Sequence, residues 1–122
     1  MIRRGFAAFG RGDLEEIQAV LSPGAVWHVA GRSAVSGTVT GVEAILAHFM
    51  SLYQASGFSL RQEVHDVVGG DAHTVALIHE HAERDGAVLD IDEVLVAHIE
   101  GGRVTEAWAI PGDQHAFDEF FA

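Results

Sequence analysis

The sequence predicts an α+β domain in which helices pack on one face of a curved antiparallel sheet. Three observations carry this. Apolar residues in the front of the chain recur at helical spacing, as in Val42, Ile45, Leu46, Phe49 and Tyr53. The segment from His73 to Ile110 reads as three strands joined at Asp85-Gly86 and Gly101-Gly102, whose glycines supply the positive φ angles of short hairpin turns. Finally, Val75-Ala76-Leu77-Ile78 and Val94-Leu95-Val96-Ala97 are apolar on both faces, so both sides of the sheet are expected to be covered.

The elements follow in order. Ile2, Phe6 and Phe9 share one helical face, and Gly10 to Gly12 interrupt that segment. Asp13 with Glu16 three residues on marks the start of a second helix, with Leu14, Ile17 and Leu21 as its buried stripe and Pro23-Gly24 as its end. Ala25 to Val29 is a short strand followed by a Gly/Ser-rich connection. Thr40-Gly41-Val42-Glu43 reads as a capping box opening the third helix, which Gly57 can terminate. Phe58 to Val68 is a strand, and the hairpins follow. Asp113 caps a short last helix burying Phe117 with Phe120 or Phe121.

Composition bounds the function. The 122 residues form one domain, residues 1–122, with 48% hydrophobic residues, enough for a substantial core. No apolar run reaches the roughly 18 residues a membrane span requires, and no charged-then-apolar leader is read, so no membrane partner and a cytoplasmic location are expected. The chain has no cysteine, which removes thiolate nucleophiles and cysteine zinc sites. All seven basic residues are arginine, which removes Schiff-base and P-loop lysine chemistry. A net charge of −11 argues against a nucleic-acid partner, because a phosphate backbone needs a basic footprint.

The run Phe9-Gly10-Arg11-Gly12-Asp13-Leu14, then Val26-Trp27, Ser36-Gly37-Thr38 and Gly41-Val42-Glu43-Ala44-Ile45, resembles the SnoaL-like members of the nuclear transport factor two-like superfamily. Gly102-Arg103-Val104-Thr105-Glu106-Ala107-Trp108 and Asp113 extend the likeness over nearly the whole chain. The resemblance implies a cone-shaped fold, a strongly curved sheet wrapped around helices with a deep pocket at the open end. It also implies a homodimer through the outer sheet face. Relatives include ketosteroid isomerases, polyketide cyclases, limonene epoxide hydrolases and dehydratases.

On that likeness His28 is the leading candidate base. It lies nine residues before Gly37, a spacing similar to that of the general-base aspartate in ketosteroid isomerases, and an imidazole moves protons near neutral pH. The chain departs from those enzymes at the oxyanion donors: the tyrosine position falls near Gly5 and the late-strand aspartate near Leu95. The aspartate that cyclases and epoxide hydrolases carry after the tryptophan of the penultimate strand is Ala109 here.

The strands offer substitutes. With a two-residue turn at Asp85-Gly86, His79 pairs with Asp92 and His81 with Asp90, and a carboxylate opposite an imidazole raises its basicity. A three-residue loop would instead set Glu80 against Asp90 as a carboxyl pair with one raised pKa. His28, His79 and Asp92 are therefore the expected catalytic groups, with Trp27, Tyr53, His81, Asp90, Glu93 and Trp108 expected to contact substrate; the alternative is that His79, His81, Asp90 and Asp92 line a solvated sheet face or a dimer seam. No metal is expected, because the spacing around His79 and His81 does not match the cupin ligand pattern, and no cofactor is expected.

Two functions fit this reading. One is cofactor-free proton transfer on a hydrophobic small molecule: isomerisation, dehydration, ring closure or epoxide opening. The other is a pocket that holds a metabolite without chemistry, or a dimerisation module. Loss of turnover in a folded His28→Ala protein would favour the first reading and unchanged turnover would reject His28 as the base.

Overall fold

The structure, a computed structural model, describes residues 2–70 and 72–122. Four helices, α1 (Ile2–Arg11), α2 (Leu14–Val20), α3 (Val42–Ala55) and α4 (Gln114–Phe120), accompany six strands. The strands are β1 (Leu21–Val29), β2 (Gly37–Thr40), β3 (Arg61–Gly69), β4 (His73–Arg84), β5 (Ala87–Glu100) and β6 (Arg103–Pro111). They form one curved, open sheet in the order β2-β1-β6-β5-β4-β3. The β3–β6 meander is antiparallel throughout, as the hairpin signals require. β1 differs from the antiparallel expectation: it runs parallel to β6, a pairing between distant segments.

Both hairpin turns have two residues. Asp85 and Gly86 take φ of 51° and 83°, and Gly101 and Gly102 take 58° and 78°, the paired left-handed conformations that match strand twist. The first turn sets the register: His79 stands opposite Asp92, His81 opposite Asp90, and Arg84 opposite Ala87. Because side chains alternate, Ala76, Ile78, Glu80 and Ala82 of β4 face the core together with Leu89, Ile91, Glu93, Leu95 and Ala97 of β5.

Four local expectations are corrected. Leu14 is 44% exposed, and α2 buries only Ile17 and Val20 because Leu21 already belongs to β1. Pro23-Gly24 does not end α2; it lies inside β1, where the pairing to β6 shifts register between Leu21 and Val26. β2 occupies part of the expected loop, with Thr38 opposite His28. At α3 the N-cap is Gly41, without a side-chain cap bond, so Thr40 closes β2 rather than opening the helix.

The caps read at Asp13 and Asp113 form, accepting from Glu16 N and Ala116 N at 3.1 and 3.0 Å. Phe58 has φ of 63° and is exposed, so β3 begins later, at Arg61. At the other end of the sheet Phe117, Phe120 and Phe121 are all buried against one another. The Arg84 guanidinium lies 5.0 Å over the Phe120 ring and donates to the Phe120 carbonyl at 2.7 Å. No helix among the described residues is long and apolar enough to cross a membrane.

Candidate functional site

The concave face of the sheet, α1 and α3 enclose a cavity of about 80 Å³. Its wall is mostly apolar: Phe6 and Phe9 from α1, Trp27 from β1, Phe49 and Leu52 from α3, Leu95 from β5. Phe49 meets the rings of Phe9 and Trp27 edge-on, with centroids 5.4 and 5.0 Å apart. Such edge-to-face pairs fix ring orientation as well as burying area.

Polar groups enter this wall from four elements. On α3, Ile45, His48, Phe49 and Leu52 form the buried stripe at i, i+3, i+4 and i+7, so His48 points to the cavity because of its place in the helix repeat. From β4 and β5 come Glu80 and Glu93, 1% and 5% exposed. Glu93 faces Ile78 and Glu80 faces Ile91, so the two acids are diagonal neighbours on one sheet face, a separation long side chains can span. Their carboxyl groups are in hydrogen-bond contact. From β3, Gln62 stands opposite Glu80 and its Nε2 donates to Glu80 Oε1 at 3.1 Å. Glu80 Oε2 is buried and receives no bond from any described N–H or hydroxyl donor.

The electrostatics follow from this placement. Burial raises the Glu80 carboxyl above the usual range, although the hydrogen bonds from Glu93 and Gln62 favour its charged form. Glu93 is pushed much further up, first by burial and then by the charge and hydrogen bond of Glu80. Two contacting carboxyls with no nearby cation hold a proton between them. The Gln62 amide bond favours the charged form of Glu80, while the stronger upward push on Glu93 favours its keeping the proton. Burial alone lowers His48 to about 4, so its imidazole is neutral.

Of the residues expected at the site, Trp27 and Glu93 line the cavity. Tyr53 stacks on Phe9 at 4.6 Å and its hydroxyl donates to the Phe9 carbonyl, so it braces α1 from outside the lining. The expected gathering of His28, His79, His81, Asp90, Asp92 and Trp108 in the hollow is corrected: all six lie on the outer face of the sheet. His28 follows Trp27 in β1 and therefore points the other way. There it sits between Thr38 Oγ1 at 2.8 Å and Glu106 Oε2 at 2.6 Å, stacked on Trp108 at 5.5 Å.

The hairpin pairs form as the two-residue turn dictates, in solvent. His79 Nδ1 is 3.1 Å from Asp92 and Nε2 2.5 Å from Asp90, while His81 Nδ1 is 3.1 Å from Asp90. The Asp92 hydrogen bond, with help from Asp90, raises His79, and His81 in turn leads in lowering Asp90. Among the described residues no group of three or more His, Asp or Glu side chains is arranged to hold a metal ion.

Sequence reasoning passed over Glu80 as a partner of Glu93, and it did not single out Gln62 or His48. The helix repeat does carry a signal for His48, which lies between Ile45 and Phe49 on the buried stripe.

Comparison with known proteins agrees with this architecture. The model of the SnoaL-like domain matches residues 2–107. An uncharacterized protein of Mycobacterium tuberculosis is 32% identical over 123 residues, covering 100% of this chain and 94% of the relative. A solved protein encoded on a soil-derived mobile gene cassette superposes with a TM-score of 0.95 at 32% identity, over 99% of this chain and 93% of the other. A nuclear transport factor two-like protein of unknown function from Burkholderia pseudomallei superposes with a TM-score of 0.85 at 20% identity, over 99% and 94% of the two chains, a likeness of fold.

Proposed function

The chain belongs to the SnoaL-like domain family, and from that premise we propose that it is a cofactor-free acid–base enzyme acting on a small hydrophobic metabolite. The observation that carries this reading is the Glu80–Glu93 carboxyl pair, buried in the wall of an aromatic cavity. Neighbouring titratable groups pushed to different proton affinities are the usual signature of paired acid and base roles.

In this reading Glu80 is the base and Glu93 the acid. Glu80 takes a proton from a carbon or hydroxyl of the substrate, and Glu93 gives its own to an oxygen of the same molecule. Return of the proton from Glu80 to Glu93 restores the starting state. Isomerisation, dehydration and ring closure all need this concerted gain and loss. The apolar wall lowers the local dielectric and so strengthens the field of the pair. Gln62 holds Glu80 by its Oε1, and Oε2 receives no bond from a described N–H or hydroxyl donor, so it is the oxygen that would turn to the substrate. His28 and the outer hairpin pairs have no part in this scheme, because the sheet backbone separates them from the cavity.

The test does not require the natural substrate. In deuterium oxide the wild-type protein should exchange the α-hydrogens of at least one member of a panel of small ketones, with and without amino groups, followed by proton NMR. Glu80→Gln and Glu93→Gln should lower that rate by about 100-fold or more. A double variant exchanging as fast as wild type would overturn the assignment. Ketones that bind without exchanging would support the pocket as a holder of metabolites instead.

A further inference from the structure

We propose that the cavity takes a small hydrophobic amine, bound as its ammonium ion with the charged head against Glu80 and Glu93. This rests on the reading above for the protonation of the pair, and it names the class of ligand that the cavity holds.

The argument begins with a count of donors. The two carboxyls present four oxygens, and the hydrogens that reach them are the Gln62 amide and the one proton they share. No arginine lines the cavity, and the chain contains no lysine. Glu80 Oε2 is buried and receives no bond from any described N–H or hydroxyl donor, so the shared carboxyl proton is the one hydrogen the pair can offer it. The site is short of both hydrogens and positive charge.

A second group points the same way from another element. His48, on α3, is nine-tenths buried in the same wall and makes no hydrogen bond with any described residue. A neutral imidazole has an acceptor nitrogen to offer. An ammonium head brings three donors and the missing charge. An alcohol brings one donor and no charge, and a carboxylate ligand brings a second like charge. The rings of Phe6, Phe9, Trp27 and Phe49 suit the rest, since aromatic faces accept both cations and hydrocarbon.

Two properties narrow the ligand further. Placing an ion in an apolar site is costly unless it meets a charge already held there, and folding has already buried these two acids. The net charge of −11 raises the local concentration of cations over anions. A cavity needs about 10–15 Å³ to hold a water, so 80 Å³ suits a molecule of roughly six heavy atoms. A short branched amine fits that space.

The experiment compares three ligands on one branched four-carbon skeleton: isobutylammonium, isobutanol and isobutyrate. Binding to the full chain is followed by NMR at the Trp27 indole, which reports the cavity, with Trp108 as the outer-face control. Isobutylammonium should bind at least about tenfold tighter than isobutanol, and isobutyrate should not bind. In a folded Glu80→Gln/Glu93→Gln protein the preference for the amine should vanish while isobutanol binding remains. Equal affinity for amine and alcohol, tighter binding of isobutyrate, or no shift at Trp27 would overturn the inference, and so would a preference that survives the double variant. If the double variant does not fold, the three-ligand comparison on wild type decides. Carboxyl-dependent deuterium exchange without amine preference would sink this inference alone and leave the acid–base reading standing.

Discussion

Acidification should unfold this protein in part through one histidine. His48 is buried on α3, and desolvation holds it at about 4 against an ordinary 6.5. Between those values the unfolded chain binds a proton that the folded chain refuses, so stability present above about pH 6.5 is lost as the pH falls towards 4. Evaluated for those two values, acidification from about pH 7.5 to about pH 4.5 removes about 2.5 kcal/mol through this residue. That is a large share of the 5–15 kcal/mol typical of a domain. The perturbation is His48→Gln, which keeps a polar side chain of similar reach and cannot titrate. Urea unfolding of both proteins at the two pH values gives the comparison. Glu80 and Glu93 face the same cavity from β4 and β5; their raised proton affinities favour the folded state in acid, but they titrate in both proteins and drop out of the difference. The wild type should lose about 2.5 kcal/mol more than the variant on acidification. Parallel losses would refute the reasoning, because they would mean that the imidazole is protonated in the folded state or is reached by water.

Two further outcomes test other parts of the structure. Gly5 lies inside α1 beside the cavity, and a Cβ there would rest 3.6 Å from Val20 Cγ2, an ordinary contact. Gly5→Ala should therefore stabilise the protein by about 0.5–1 kcal/mol in thermal or urea unfolding, and destabilisation would show that α1 packs closer than described. On the outer face, Asp92→Asn should lower the pKa of His79, read by NMR titration, since the Asp92 hydrogen bond is the leading cause of its rise. An unmoved titration would show that Asp90 alone holds that imidazole.

Much of this architecture was legible in the residues, and the part that was not has a physical reason. Asp85-Gly86 and Gly101-Gly102 are written for two-residue turns, so the His79–Asp92 and His81–Asp90 pairs could be counted off and are present. Which face those pairs occupy could not be counted. β4 sets Ala76, Ile78 and Ala82 on one side and Val75 and Leu77 on the other, two apolar sets of similar weight, and only the curvature of the sheet decides which is concave. The family likeness, through the spacing to Gly37, placed His28 indoors, but His28 stands one residue from Trp27, which lines the cavity, and so faces the other way. Pro23-Gly24 carries a genuine break signal, but the break falls in the β1–β6 ladder rather than at the end of α2. The parallel β1–β6 pairing joins segments too far apart in sequence for local pattern to reveal, and β2 is four residues long at a sheet edge.

The β4–β5 hairpin places unlike chemistries back to back. In His79-Glu80-His81 and Asp92-Glu93 every acid of the interior has an outward neighbour that also titrates or carries charge. A change of ionisation outside is thus one peptide away from the proton-sharing acids inside. Whatever comes to cover the convex surface, by drying or neutralising those imidazoles, would alter the field felt by the cavity without touching a single residue that lines it.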